Sequence, residues 1–142
     1  AFVPTGALRL LTALQTRLPQ HFLIAADFDF FPPPELREPV RLELLAANAP
    51  LVAGFDSDAG RPVDFPTYLA VPGSADILFP TDFPRLARMY AAACGRPPTA
   101  VRVMKQREFV QRHGGAVLDR TRTAGGYNPL LEDFSNAAFL LS

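Results

Sequence analysis

A short apolar run that leads within three residues into a marked helix start constrains the fold of this chain more than any other feature. Residues 77–79 form the apolar run, and Thr81 or Asp82 can cap the helix that follows. Pro84 then lies in the first helical turn, and Gly95 is suited to end the helix. A strand followed directly by a helix is typical of α/β folds, in which ligands bind outside the ends of strands.

The beginning of the chain predicts a second unit of this kind. Leucines recur at helical spacing over residues 5–18, with Thr5 as the expected N-cap and Pro19 ending the helix. Residues 21–28 are a nearly continuous apolar run, which predicts a strand that is covered on both faces. The short turn between the two elements indicates an αβ unit in a mixed or parallel sheet.

The rest of the chain alternates between short elements and proline-rich connections. Residues 30–34 are expected to form a stiff exit loop, because successive prolines lack the N–H donors of a central strand. We predict further elements from periodicity and turn residues: a short helix over 39–47, a hairpin over 48–69 with a polar turn at 56–60, a strand over 99–104, a helix over 107–113, a capped helical turn over 128–134 and a final strand over 137–142.

Composition limits the classes of partner. The 14 Lys and Arg residues balance the 14 Asp and Glu residues, which argues against a nucleic-acid or membrane-surface partner because both need clustered positive charge. No apolar run approaches the length of a membrane span. At 142 residues, starting without Met, the chain is expected to be a piece of a longer, soluble intracellular protein. Its single cysteine, Cys94, excludes an internal disulfide framework and is expected to be a small buried hydrophobe.

Carboxylates at the ends of predicted strands are the first candidate functional residues. Asp27 and Asp29 follow the first strand, where they could face a ligand crevice or could cap the turn that starts the proline-rich loop. Asp82 could likewise serve a ligand or cap its helix. Asp76 is expected to form a surface ion pair with a nearby arginine, either Arg85 or Arg88.

No metal site is expected. Asp56 and Asp58 are spaced as in a calcium loop, but the remaining ligands of such a loop are absent, so we expect a turn. His21 and His113 are isolated, and no Cys and His pair has the spacing of a zinc site.

Four stretches follow one another in the order of the motifs of a known family. The first, Leu-Ile-Ala-Ala-Asp-Phe at 23–28, resembles a strand ending in Asp-Tyr-Gly. Residues 72–83 resemble Pro-Gly-x-x-Asp-(Ile/Leu)-Thr-x-x-Val-Asp-Phe, residues 104–110 resemble Thr-Gln-x-x-Phe-Leu, and residues 136–141 resemble the closing strand. The chain thereby resembles the C-terminal portion of the MidA-like S-adenosylmethionine-dependent methyltransferases, in a divergent branch that residues 48–52 also match.

The resemblance implies a fold and a set of site residues. The fold would be α/β, the C-terminal half of a class I (Rossmann-like) methyltransferase sheet, mixed, with an antiparallel last strand and an inserted β-hairpin. Residues 1–142 would form a partial methyltransferase-like domain: helix, strand and proline-rich exit over 1–47, hairpin insertion over 48–70, and late strands and helices over 71–142. Matching the family motifs residue by residue gives Asp27, Asp82 and Gln106 as catalytic candidates.

The chain departs from the family where the cofactor would bind. The glycine-rich turn after the first strand of such enzymes, and the acidic residue after the second, do not occur in these residues. Asp-Tyr-Gly has become Asp27-Phe28-Asp29, and Thr-Gln has become Lys105-Gln106. We therefore expect no cofactor-binding residue in this chain, and no S-adenosylmethionine bound to this chain alone.

The expected activity follows from the resemblance. The mitochondrial member of the family is a protein-arginine methyltransferase that acts in the assembly of respiratory complex I. The resemblance implies methyl transfer from S-adenosylmethionine to a protein side chain, a mitochondrial location, and protein partners or substrates among the subunits of a mitochondrial complex. Two alternatives stay open: a catalytically inactive relative kept as a structural subunit or assembly factor, and an unrelated α/β binding module.

Overall fold

The computed structural model describes residues 3–34, 41 and 48–142, which divide into two compact units. The hairpin unit comprises Ala1–Val3 and Phe30–Thr81, and the helix unit comprises Pro4–Asp29 and Asp82–Ser142. The helix predicted over 39–47 lies outside the described residues. The predicted division of one domain into the parts 1–47, 48–70 and 71–142 stays a prediction.

The described residues form helices and short strands of mixed α/β type. The helices are α1 (Thr5–Arg17), α2 (Phe83–Cys94), α3 (Gln106–His113), α4 (Val117–Arg120) and α5 (Pro129–Glu132), with a 3₁₀ turn at Pro98–Ala100. The strands are β1 (Ile24–Phe28), β2 (Leu51–Asp56), β3 (Arg61–Asp64), β4 (Ala75–Leu78), β5 (Arg102–Lys105) and β6 (Ala137–Leu141).

The helix unit contains a three-stranded sheet in the order β1-β6-β5. The final strand β6 lies between the other two and is antiparallel to both. The prediction of an antiparallel last strand is therefore confirmed. Because β1 and β5 both run opposite to β6, they run in the same direction, and their carboxyl ends lie at the same edge of the sheet.

The core of the helix unit lies between β6 and the helices α1 and α2. It consists of five buried residues: Leu11, Phe83, Tyr90, Ala138 and Leu140. Cys94 is half-buried and packs against this cluster, as a small hydrophobe should.

The opposite face of this sheet is covered by α3 at β6. The Phe109 ring stacks on Phe139 with 4.0 Å between ring centroids, and Met104 of β5 is buried beside them. Strand β1, at the edge of the sheet, is exposed on that face, with 64% of Ile24 accessible. The prediction that this strand is covered on both faces is wrong for the described chain, because the helix on that face packs on β6 and β5 and leaves β1 exposed.

The predicted limits of α2 are confirmed. The Asp82 carboxylate accepts a hydrogen bond from the backbone N–H of Arg85, and Pro84 lies in the first turn. Gly95 ends the helix in the left-handed conformation, with φ of 62°, which glycine adopts without a steric penalty.

Two predicted boundaries are wrong. Thr5 is the first helical residue of α1 rather than its cap, since Pro4 occupies the cap position without a side-chain bond. The strand predicted from residue 99 begins at Arg102 instead. Pro98 starts a 3₁₀ turn before it, in which the Ala100 N–H donates to the Pro97 carbonyl.

The hairpin unit contains a second three-stranded sheet, in the order β3-β2-β4. The predicted hairpin is confirmed by β2 and β3, which are antiparallel neighbours. The Asp56 carboxylate accepts from the N–H groups of Asp58 and Ala59, so this acidic pair forms a turn as predicted.

The structure corrects the sheet pairing expected for the apolar run at residues 77–79, which precedes α2. Strand β4 pairs with β2 of the hairpin, whereas the helix that follows it belongs to the helix unit. All strand pairs in the two described sheets are antiparallel, so the expected parallel αβ pairing is not found among them.

Candidate functional site

The candidate site lies where the carboxyl ends of β1 and β5 meet at one edge of the helix-unit sheet. Asp27 of β1 and Lys105 of β5 are both in register with Ala138 of β6. Side chains of directly paired residues point to the same face of a sheet. Asp27 and Lys105 therefore lie on either side of β6, on the face that carries α1 and α2.

An ion pair between Lys105 and Asp29 lies at these strand ends. The ammonium group of Lys105, the chain's one lysine, donates to Oδ2 of Asp29 and to the carbonyl of Ser135, at 3.3 Å in the second case. Oδ1 of Asp29 is buried without a hydrogen-bond partner among the described residues. The lysine thus joins the exit of β1 to the loop before β6.

Asp27 uses one carboxylate oxygen locally. Its Oδ1 accepts from the backbone N–H of Phe28 at 2.8 Å. The donor is the next residue of β1, so this contact lies within the strand and not in the turn that follows it, and Asp27 itself is exposed.

Asp82 caps α2 and contacts Arg85 through both of its oxygens. Oδ1 lies 2.9 Å from the Arg85 backbone nitrogen, and Oδ2 lies 3.5 Å from Nε of the same residue. The ion pair of Arg85 is therefore with Asp82. Arg96, just beyond the other end of α2, donates to the carbonyl of His21 at the amino end of β1. Helix α2 thus runs opposite to β1, so Asp82 lies toward the edge that carries Asp27.

The side-chain amide of Gln106 forms a hydrogen bond between two helices. Its Nε2 donates to the Leu130 carbonyl at 3.0 Å, and Arg107 donates in the same way to the Leu131 carbonyl at 2.9 Å. These bonds attach α3 to α5. The structure brings Asp27, Asp29 and Gln106 to the end of the sheet at which β1 and β5 finish. The three predicted catalytic candidates, Asp27, Asp82 and Gln106, each form a hydrogen bond within the fold.

A polar network at the opposite end of the sheet was not predicted. Nδ1 of His21 lies 2.6 Å from the Leu18 carbonyl, which only accepts, so this nitrogen carries the proton. In the neutral ring Nε2 then accepts from the Tyr90 hydroxyl at 3.0 Å. The Tyr90 oxygen accepts from Ser142 at 2.8 Å, and Ser142 accepts from the Leu23 N–H at 3.0 Å.

No local sequence signal identifies this network. His21 and Tyr90 are 69 residues apart, and Tyr90 and Ser142 are 52 residues apart. The network lets a fully buried tyrosine keep its hydroxyl bonded, as buried polar groups require.

The hairpin unit has an open groove of about 380 Å³ between β2 and the turn before β4. Residues 53–55 and 73–76 line it. Gly54 is required there, because a Cβ atom at this position would lie 2.5 Å from the Ser74 carbonyl oxygen. The groove has Asp76 as its one charged lining residue.

The described residues were also searched for metal sites and membrane helices. In the parts of the chain that the structure covers, no group of three or more His, Cys, Asp or Glu side chains could hold a metal ion. Across the same parts, every helix is too short or too polar to cross a membrane.

Comparison with known proteins identifies a family for most of the chain. Residues 1–101 match the model of a family described as "putative S-adenosyl-L-methionine-dependent methyltransferase". The comparisons with curated proteins and with solved structures gave no match. Since the matched residues make up more than half of the 142, the chain belongs to this S-adenosyl-L-methionine-dependent methyltransferase family.

Proposed function

We propose that this chain is the late part of a class I methyltransferase domain of the MidA-like type, which transfers a methyl group from S-adenosylmethionine to a protein arginine. The observation that carries the proposal is the family match over residues 1–101. Family membership implies S-adenosylmethionine as the methyl donor. The arginine acceptor and the MidA-like type rest on the four sequence stretches described above.

The order of the helix-unit sheet supports the proposed position within the domain. An antiparallel strand, β6, lies between two strands that run in the same direction. The proposed late part of a class I sheet ends with such an antiparallel strand. A helix packs on each face of the sheet, as in α/β folds generally.

The described residues do not by themselves fit a whole S-adenosylmethionine molecule. A nucleoside site in such folds needs a strand-to-helix turn whose backbone can approach the ligand closely, usually through glycine. Here β1 is followed by Asp29 and the proline-rich residues 30–34. The carboxylate of Asp29 is paired with Lys105. We therefore assign the donor pocket to another part of the domain.

The acidic edge suits a cationic acceptor. Asp27, Asp29 and Asp82 lie at or toward this edge. Lys105 pairs with Asp29 and Arg85 pairs with Asp82, so the carboxylates outnumber the cations by one. Planar guanidinium groups bind carboxylates through paired hydrogen bonds, and such bonds are stronger than those between neutral groups. Holding the acceptor in line with a donor supplies much of the rate enhancement of a transfer reaction.

The cellular setting belongs to the same proposal. The resemblance to the MidA-like family favours a mitochondrial location and a substrate among the subunits of respiratory complex I or a similar complex. The net charge of zero suits a protein partner better than a nucleic acid.

Calorimetry and methyl transfer together test the proposal. The 142-residue chain titrated with S-adenosylmethionine is expected to give no binding heat, whereas the full-length protein is expected to bind it. With labelled donor, the full-length protein should then label an arginine-containing protein. Absence of donor binding by the full-length protein would overturn the proposal, and micromolar binding by the 142 residues would show that the donor pocket is misplaced.

One observation favours a second candidate function, a catalytically inactive subunit or assembly factor. Asp27, Asp82 and Gln106 are each engaged in a bond that stabilises the local fold. If the full-length protein copurifies with a large complex and binds no S-adenosylmethionine, this second function replaces the first.

A further inference from the structure

The groove of the hairpin unit, which lies between β2 and the turn before β4, has the size of a binding site. Its volume of about 380 Å³ falls within the range of about 300–1,000 Å³ that is usual for sites of small ligands. Because the groove is open, its occupant can remain part of a longer chain. The groove therefore has room for one side chain of a partner, rather than for a folded surface.

Two lining side chains of the groove lie on one face of the sheet. Ala53 and Asp76 are in register, so their side chains point to the same face, and Phe55 follows Ala53 by two positions on that face. Phe55 and Asp76 are therefore diagonal neighbours, roughly 7–8 Å apart. Phe55 is 62% exposed, and Asp76 is exposed as well.

Within the part of the chain that the structure describes, neither side chain has a partner. The Asp76 carboxylate forms no hydrogen bond or ion pair there, and the Phe55 ring contacts no other ring. The ion pair expected between Asp76 and Arg85 is not formed, since Arg85 pairs with Asp82. A carboxylate and an aromatic face are thus both available to a ligand.

A backbone acceptor faces the same groove. The Phe65 N–H donates to the Val52 carbonyl, so even-numbered residues of β2 direct their backbone groups to β3, and Phe55 directs its groups to the side of β4. The Ser74 N–H, which would continue the ladder to the Phe55 carbonyl, donates to the Val71 carbonyl instead. The Phe55 carbonyl is therefore left at the groove as an acceptor.

We propose that the groove binds an arginine side chain of a partner protein, with the guanidinium group lying against the Phe55 ring and donating to the Asp76 carboxylate and the Phe55 carbonyl. A guanidinium group stacks on aromatic faces and carries five N–H donors, whereas a lysine ammonium group has no planar face. The inference rests on the proposed function for the identity of the partner, which is the methyl-acceptor protein. The acidic edge of the helix unit is the site proposed for the methylated arginine, so the groove holds a second, docking arginine.

Charge complementarity favours a cationic partner at this unit. The hairpin unit contains three arginines and no lysine against seven Asp and Glu residues, a net charge of −4, whereas the helix unit has a net charge of +4. Opposite charge raises the rate at which a partner segment reaches its site. The contacts with Phe55 and Asp76 then select arginine within that segment.

A nuclear magnetic resonance titration tests where an arginine binds. The probe is an acetylated and amidated Gly-Val-Arg-Val-Gly peptide, added to the isotope-labelled 142-residue chain at physiological ionic strength. It is expected to shift the backbone amide signals of residues 53–55 and 73–76 in a saturable way. The matched peptide with citrulline in place of arginine has nearly the same shape and no charge. It should bind about five- to tenfold more weakly, because hydrogen bonds between charged groups are stronger.

Three substitutions separate the local contacts from the charge of the unit. Asp76→Asn removes the proposed carboxylate and should raise the Kd of the arginine peptide about five- to tenfold. Asp58→Asn is the matched control, since it removes the same charge at an exposed aspartate outside the groove, and should change the Kd less than about twofold. Phe55→Leu keeps an apolar side chain without the aromatic face and should raise the Kd about two- to fivefold.

Several results of this titration would overturn the assignment of the groove. They are the absence of a saturable shift, shifts confined to other residues, equal affinities for the two peptides, and equal effects of Asp76→Asn and Asp58→Asn. Because no methyl donor is present, such a result leaves the proposed methyl transfer unaffected. Conversely, failure of the full-length protein to bind S-adenosylmethionine would overturn the proposed function and leave an arginine site in the groove.

Discussion

Asp82 shows how one residue can satisfy both a sequence motif and a structural need. Its position in the Asp-Phe motif suggested a site residue, whereas its carboxylate accepts from the Arg85 N–H at the start of α2. The first N–H groups of a helix lack partners within the helix, so an aspartate at the cap position stabilises it. The capping role is sufficient to explain this aspartate.

Substitution of Asp82 separates the two roles. Asp82→Ala is expected to lower the free energy of unfolding by about 1 kcal/mol through loss of the cap. Asp82→Asn keeps a capping oxygen and should lose less. Urea unfolding followed by circular dichroism measures both values. Equal losses for Ala and Asn would show that the charge, rather than the cap, is what stabilises α2.

Gly54 offers a prediction in the hairpin unit. A Cβ atom there would lie 2.5 Å from the Ser74 carbonyl and 2.9 Å from the Phe65 ring, so β2 or the turn before β4 must shift. Gly54→Ala is expected to lower stability by about 1–3 kcal/mol, as overpacking generally does. The control Gly6→Ala on α1 meets nothing within 4 Å and should be neutral or stabilising. In thermal melts, the melting temperature should fall for Gly54→Ala and should stay the same or rise for Gly6→Ala.

At the scale of elements, local signals predicted the helices better than the sheets. The limits of α2 followed from its capping residues, because caps act within a few residues. The partner strand of β4 could not be predicted in this way, since its pairing with β2 depends on contacts that no local sequence pattern encodes. The same limit applies to the candidate site: Asp27 was predicted as a site residue and Lys105 was not, because their common register with Ala138 depends on the final strand.

The network around Tyr90 leads to an element-scale prediction. Tyr90→Phe removes the hydroxyl that joins α2 to His21 and Ser142, and leaves Nε2 and the serine without that partner. Loss of one partner of a buried hydrogen bond costs about 1–3 kcal/mol. Chemical denaturation should detect this loss, and amide hydrogen exchange should show faster exchange at Leu23, whose N–H donates to Ser142. Unchanged exchange there would mean that the strand ends are held without the network.

At the scale of the whole molecule, the helix unit depends on β6. This strand separates β1 from β5 and contributes Ala138 and Leu140 to the core, where both are almost completely buried. Leu140→Ala is expected to cost about 2–5 kcal/mol, because it removes buried methyl groups and leaves a cavity. Leu10→Ala, at a site with 68% exposure, should change stability little. Urea midpoints of the two variants provide the comparison, and equal midpoints would contradict the assigned core.

The position of β6 also has a consequence for how the protein is made. Leu23 and Ser142 bond to each other across 119 residues of sequence, and β1 has no other strand partner among the described residues. During synthesis, β1 therefore emerges long before the strand against which it pairs. Pairing between such distant segments is intrinsically slow and leaves apolar strands exposed in the meantime. The helix-unit sheet can be completed only after translation has passed β6, so chaperone dependence should be greatest while the ribosome is still adding residues between β5 and β6.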